Sequence, residues 1–192
     1  MAELSLKCHC GKVQGCIEKT TPKSGIRAVC YCDDCQKFAH FLGDESAVLN
    51  EHGGTEVFIT APALVKFTQG EEQLRCMRLT RKGLYRWYTD CCKTPVANVA
   101  SPKIPFVSLI HSMIDDNEKE ASLGPVIGHV QVKFAKDTLP NELKNTGTPY
   151  RLLMNSAYKV MKWKVTGLQT PSPFFDAGGR PTHKPSILKS DG

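Results

Sequence analysis

Three tight groups of cysteines carry the chemistry available to this chain: Cys8-His9-Cys10, Cys30-Tyr31-Cys32-Asp33-Asp34-Cys35 and Cys91-Cys92. They hold seven of the nine cysteines. Such grouping marks metal ligation, because one ion needs several soft donors within about 4 Å of each other and Zn–S bonds run about 2.3 Å. C-x-C and C-x2-C loops bring two thiolates onto one ion without straining the backbone.

Cys30, Cys32 and Cys35 can bind one face of a zinc ion. The fourth position then stays open unless a residue arrives from elsewhere, and an open position separates a catalytic zinc from a structural one. These three are the candidate catalytic residues. The alternative is a closed structural site with Cys76, His40 or Cys16 as fourth ligand. Asp33 and Asp34 lie inside the loop, where they could bond backbone amides, receive a ligand's ammonium group or cap a turn.

Cys8 and Cys10 supply half of a second tetrahedral site. The natural donor of the other half is Cys91-Cys92, far along the chain. Neighbouring side chains in a strand point to opposite faces. Either the backbone kinks there, or only one of the pair binds metal. Cys92 is the favoured ligand, and Cys91 is either the fourth ligand or a small buried hydrophobe. His9 would point away from its flanking ligands in a strand and receives no metal role. Cys16 and Cys76 stand alone in strand-like segments and read as core packing. His40, His52, His111, His129 and His183 have no spacing that pairs them. Absence of H-x3-H, G-x-S-x-G and a phosphate-binding glycine loop leaves hydrolase and nucleotide readings without a foothold.

The elements that must position these residues read first as short strands. Candidates are 11–17, 26–29, 55–60, 63–68, 74–79, 84–88 and 96–99, with turns at Gly53-Gly54 and Gln69-Gly70-Glu71-Glu72. This spacing predicts an all-β sandwich or open barrel. The stretch from Ile104 to Met113 fits either a strand or a buried helix. Asp137-Thr138-Leu139-Pro140 has the signature of a short helix start, as does Thr148-Pro149. Leu153, Ala157, Val160 and Met161 recur at helical spacing, which predicts a helix from about Pro149 to Lys164 closed by Gly167. Residues 168–192 are proline-rich and expected to be extended, with Phe174-Phe175 anchoring them to the protein surface and Lys189 to Gly192 mobile. The division expected is a zinc-binding β-domain over 1–135 and a helical extension with tail over 136–192.

Composition agrees. The chain has 192 residues and a 41% apolar fraction, enough for a core. It has no apolar run near the roughly 18 residues of a membrane helix, so no membrane partner is expected. The N-terminal residues lack the layout of a secretory signal. An odd cysteine count argues against a disulfide framework and for a cytoplasmic location. The net charge of +6 is modest. Its excess gathers in Lys159, Lys162, Lys164, Arg180, Lys184 and Lys189, read as a solvated basic tail rather than a nucleic-acid surface. Lys7, Lys12, Arg27, Lys37 and Lys93 could offset the negative charge that thiolates leave on a zinc ion.

Cys8-His9-Cys10-Gly11-Lys12-Val13, Cys30-Tyr31-Cys32-Asp33-Asp34-Cys35-Gln36 and Cys92-Lys93-Thr94-Pro95-Val96 together resemble the glutathione-dependent formaldehyde-activating enzyme family. Its usual pattern is C-x-C-G-x-V, C-x-C-x2-C-R and F-C-x-x-C-G-T-P. The resemblance covers about residues 1–110. It implies a mainly β, β-tent zinc-binding fold, to which the C-terminal helix and extended tail are additions. It also implies two zinc ions: a closed structural one on the first and last cysteine pairs, and a labile one on the middle three. The family joins glutathione and formaldehyde to S-(hydroxymethyl)glutathione and is classed as a carbon–sulfur lyase. The chain departs from the pattern at Thr89, where the first cysteine of the last motif should fall, at Lys93 in place of glycine and at Gln36 in place of arginine. Cys91 can move the missing donor two residues along.

The function expected is a zinc-dependent carbon–sulfur bond enzyme acting on a glutathione–aldehyde adduct, with a small thiol such as glutathione as partner. An open zinc would lower the pKa of a thiol from about 8.5. Three anionic donors already neutralise the ion and make it a weak Lewis acid for a carbonyl, so capture of a fourth thiolate is its easier task. Arg27 or Lys37 could hold the glutathione carboxylates. The alternatives are a non-catalytic zinc-binding module, and a thiol carrier or redox sensor in which Cys30, Cys32 and Cys35 oxidise.

Overall fold

A computed structural model describes residues 2–114, 119–137, 139–144 and 149–188. The chain runs β1 (Ala2–Lys7), β2 (Gln14–Thr20), β3 (Ile26–Cys30), α1 (Asp33–Leu42), β4 (Thr55–Thr60), β5 (Val65–Gln69), β6 (Leu74–Arg78), β7 (Tyr85–Thr89), β8 (Pro95–Val99) and β9 (Val107–Ile110). It continues through α2 (Lys119–Leu123), β10 (His129–Val130), α3 (Asn141–Lys144), α4 (Pro149–Val165) and β11 (Ser186–Ile187). The architecture is mainly β, as the strand spacing predicts. A three-stranded sheet has the order β1-β2-β5, and an eight-stranded sheet has the order β10-β3-β4-β9-β8-β7-β6-β11. The short end strands β10 and β11 pair in parallel, and the other neighbours are antiparallel.

The large sheet separates core from site by simple alternation, since successive side chains point to opposite faces. Trp87, Ala97, Leu109 and Phe58 lie opposite one another across β7, β8, β9 and β4. All four enter the main core, where Leu4, Leu6 and Ile17 of the small sheet meet them. One residue along each strand, Arg86, Asn98, Ser108 and Ile59 form the adjacent row and face the other way. The segment from Ile104 to Met113, open between strand and helix in the sequence, resolves into β9 and a 3-10 turn at His111–Met113.

Helix α1 was not legible as a helix beside its cysteines, although Cys35, Phe38, Ala39 and Leu42 follow one helical face and are all buried. Gly43 closes it in the left-handed region at φ 82°, its N–H bonded to the His40 carbonyl. Asp33 and Asp34 therefore sit in a first helical turn, where the helix dipole favours carboxylates, rather than in a loop.

After residue 136 the expected helix is present as α4, followed by Gly167 at φ 72°. Thr138, Thr148 and Lys189–Gly192 fall outside the described residues. Leu152 and Trp163 of α4 are buried, and Trp163 belongs to the main core. The expected anchor is also present. Phe174 is fully buried, with its ring 5.3 Å from Trp87 and 6.0 Å from Phe67, and Phe175 stands edge-on to Tyr85 at 5.1 Å. Among the described residues no helix is long and apolar enough to cross a membrane.

Replacing a fully buried phenylalanine by alanine costs about 3–5 kcal/mol. Phe174→Ala should lower the unfolding free energy by about that amount in urea titrations; an unchanged midpoint would show that the tail adds nothing to the core.

Candidate metal centres and the adjoining cavity

Two turns build the first sulfur group. After β1 the chain turns at Cys8–Gly11, where the Gly11 N–H bonds the Cys8 carbonyl at 2.9 Å and the Val13 N–H bonds the Cys8 sulfur at 3.3 Å. Gly11 takes φ 75°, which glycine adopts at no steric cost. The second turn joins β7 to β8, closed by the Lys93 N–H on the Thr89 carbonyl at 2.9 Å. Lys93 occupies the left-handed region at φ 56°. The His9 N–H donates to Thr94 Oγ1 at 3.1 Å and ties the two turns together. His9 is exposed and takes no part in the group.

Cys8, Cys10, Cys91 and Cys92 all bring sulfur within 4.8 Å of one another. Cys8 Sγ lies 3.6 Å from Cys10 and 3.9 Å from Cys91, Cys10 lies 3.4 Å from Cys91, and Cys91 lies 3.7 Å from Cys92. A tetrahedral zinc with Zn–S bonds of about 2.3 Å has sulfur–sulfur edges of about 3.8 Å, so the residues fit that ion. Cys91 and Cys92 both reach the group because they lie in a turn, where strand alternation does not apply. Cys91 is thus a member of the set, and Thr89 does different work. Its hydroxyl lies 3.4 Å from Cys92 Sγ and accepts the Thr94 N–H at 3.1 Å. Thr94 Oγ1 is 3.1 Å from the same sulfur. Burial raises the Cys92 pKa, but the Thr89 and Thr94 hydroxyls outweigh it and bring the thiol down to about 5. Burial pushes Cys91 up to about 12 and also raises Cys8.

The second group is Cys30, Cys32 and Cys35, also within 4.8 Å. Cys30 ends β3, Cys32 is the N-cap of α1, and Cys35 is in its first turn, 3.2 Å from Cys32 between sulfurs. A strand end running into a helix start aims all three at one point. The neighbouring sulfurs of Cys30 and Cys35 hold Cys32 down to about 2, and the Arg86 guanidinium acts in the same direction. Its bond to Cys32 pushes Cys30 up to about 11, and Cys35 is raised by both neighbours. Among the described residues no fourth histidine, cysteine or carboxylate joins it. Cys76 is buried in the core, Cys16 belongs to the small sheet, and His40 is exposed and bonded to Glu45 at 2.9 Å.

The three-sulfur group opens on a cavity of about 820 Å³ lined also by Asp33, Asp34, Arg86, Asn98, Ser108 and His129. Arg86 is 2% exposed. It donates to Asn98 Oδ1 at 3.0 Å and lies 3.5 Å from Asp34 Oδ2, over the ring of Phe38. The Tyr31 hydroxyl and His129 Nδ1 are 3.2 Å apart, with their rings stacked. Gln36 donates to the carbonyls of Tyr31 and Phe134 and fastens one cavity wall. Arg27 bonds Glu56 at 2.9 Å and the Gly124 carbonyl at 3.0 Å, Lys37 bonds Asp33, and neither lines the cavity. The buried cation at the site is Arg86, which the sequence shows only as one member of an alternating strand, and Lys133 also lines the cavity.

The chain belongs to a family described as "Family of unknown function (DUF6151)", whose profile matches residues 1–184. Among solved structures it is similar to a Rhodobacter sphaeroides protein, with 15% identity over 64% of this chain and 97% of the other, at a TM-score of 0.43. No curated protein matches it.

A structural zinc contributes roughly 10–16 kcal/mol of apparent folding energy in small zinc peptides, whereas whole domains are stable by only about 5–15 kcal/mol. Cys8→Ser should therefore leave the protein unfolded or insoluble. A soluble variant with wild-type melting would remove the structural role of the four-sulfur group.

Proposed function

We propose that the protein is a divergent β-tent enzyme of the glutathione-dependent formaldehyde-activating type, making or breaking a carbon–sulfur bond in a thiol–aldehyde adduct. The observation that carries this reading is the contrast between the two sulfur groups. One has four sulfurs at tetrahedral spacing, and the other has three sulfurs on the wall of a cavity. The order of the three cysteine motifs along the chain supports the same reading.

In this account Cys8, Cys10, Cys91 and Cys92 hold a structural zinc, and Cys30, Cys32 and Cys35 hold a labile one. The labile ion would supply a binding position for a thiol such as glutathione, as thiolate. The chain's own residues do the rest. Cys32 is the sulfur already poised as thiolate. Arg86 offsets the negative charge that three thiolates leave on a divalent ion. The apolar part of the cavity wall would face the reacting carbon. A reducing cytoplasm suits nine unpaired cysteines.

Cys32→Ser should keep the fold, lose one of two zinc ions per chain and lose turnover of S-(hydroxymethyl)glutathione. Metal analysis beside a turnover assay checks this. Retention of both ions in the variant, or adduct turnover without the second ion, would remove the open-site mechanism.

A further inference from the structure

The cavity face of the large sheet carries a feature that sulfur chemistry alone does not require. Arg86, Asn98 and Ser108 stand opposite one another on β7, β8 and β9, and they are 2%, 4% and 6% exposed. A buried polar group left without a partner costs about 1–3 kcal/mol, and none of these three side chains keeps a fully buried polar atom without one, so their unbonded groups reach solvent at the cavity. The two bonds of Arg86 to Asn98 and Asp34 use two of the five N–H donors of a guanidinium. Asn98 gives its oxygen to Arg86, which leaves its amide N–H groups as donors. All three residues line the cavity.

Much of the remaining wall is apolar, with Val57, Ile59, Leu84, Phe106, Phe134 and Leu152 around the row, while His129, Gln131 and Lys133 add polar groups to the lining. Asp33 and Asp34 stand at the same cavity, and Asp34 already faces the charge of Arg86. A neutral oxygen acceptor on an apolar body meets donors and walls alike. At about 820 Å³ the space is within the roughly 300–1,000 Å³ range that takes a drug-sized ligand, far more than formaldehyde fills.

We infer that this cavity is a carbonyl-binding site for an aldehyde with an alkyl or aryl body, its oxygen on Arg86 and Asn98 and its body against Val57, Ile59, Phe106 and Leu152. The chemistry of the site rests on the thiol–aldehyde reading above. A thiolate sulfur attacks the carbonyl carbon, the C–S bond forms, and the C=O π pair moves to oxygen. Water protonates that oxygen to the hydroxyl of a hemithioacetal, and the hydroxide left behind takes up the proton that the thiol lost. Arg86 and Asn98 donate where the negative charge develops, the kind of contact that speeds such additions most. Ser108 stands beside Asn98 on the next strand.

The test uses hexanamide, whose carbonyl accepts hydrogen bonds but does not add thiols, against the full-length protein in calorimetry or ligand-observed NMR. Wild type should bind hexanamide at least tenfold more tightly than formamide, since each buried methylene contributes. Arg86→Met should weaken hexanamide binding about tenfold or more, and Asn98→Leu serves the same comparison should the first variant not fold. Equal affinity for formamide and hexanamide, or full hexanamide affinity in a folded variant, would overturn the inference. Hexanamide binding by wild type with no thiol–aldehyde turnover would keep the carbonyl site and remove only the reading it borrows. Turnover without hexanamide binding would do the reverse.

Discussion

Four sulfur atoms from turns 81 to 84 residues apart meet within bonding distance of a single ion. That convergence is the constraint on which the rest of the structure depends. It fastens the turn after β1 to the turn between β7 and β8, and so joins the small sheet to the large one at a fixed point. The hydrogen bond from His9 to Thr94 reinforces the same seam. Cys8 is itself a member of the main core, so sulfur grouping and hydrophobic packing hold the seam together. A divalent cation is the natural partner for the charge such a group develops.

Strand β7 carries this constraint to the cavity. Trp87 points into the core against Phe174, Arg86 points the other way toward the three-sulfur group, and Thr89 ends the strand beside Cys92. A shift of one residue in register would exchange the faces of Trp87 and Arg86, burying a cation in the core and exposing an indole. Core packing therefore fixes the position of the guanidinium that faces the cavity. The C-terminal tail takes part in this arrangement, because Phe174 packs directly on Trp87.

The legible parts of the sequence were those written locally. The cysteine spacings, the strands around Val57 and Trp87, the helix ending at Gly167 and the anchoring of Phe174-Phe175 all follow from short-range pattern. Alternation of Leu4, Leu6 and Cys8 was a local signal for β1, which lies outside the expected strands. Two features were hidden by their own chemistry. Cys30, Cys32 and Cys35 suggested a ligand loop, which masked the 35, 38, 39, 42 spacing of α1. Strand alternation left Cys91 doubtful as a ligand, because a turn held by Lys93 in the left-handed region is not announced by a lysine. The Arg86–Asn98–Ser108 row was not legible at all. It exists only through the registers of β7, β8 and β9, which the global packing sets.

The most direct measurement is zinc K-edge X-ray absorption on the fully loaded protein before and after brief treatment with a chelator. The account predicts an average first shell of sulfur with a minor oxygen or nitrogen component, which becomes four sulfurs once the labile ion is removed. A pure four-sulfur shell before treatment, unchanged as metal is withdrawn, would contradict it.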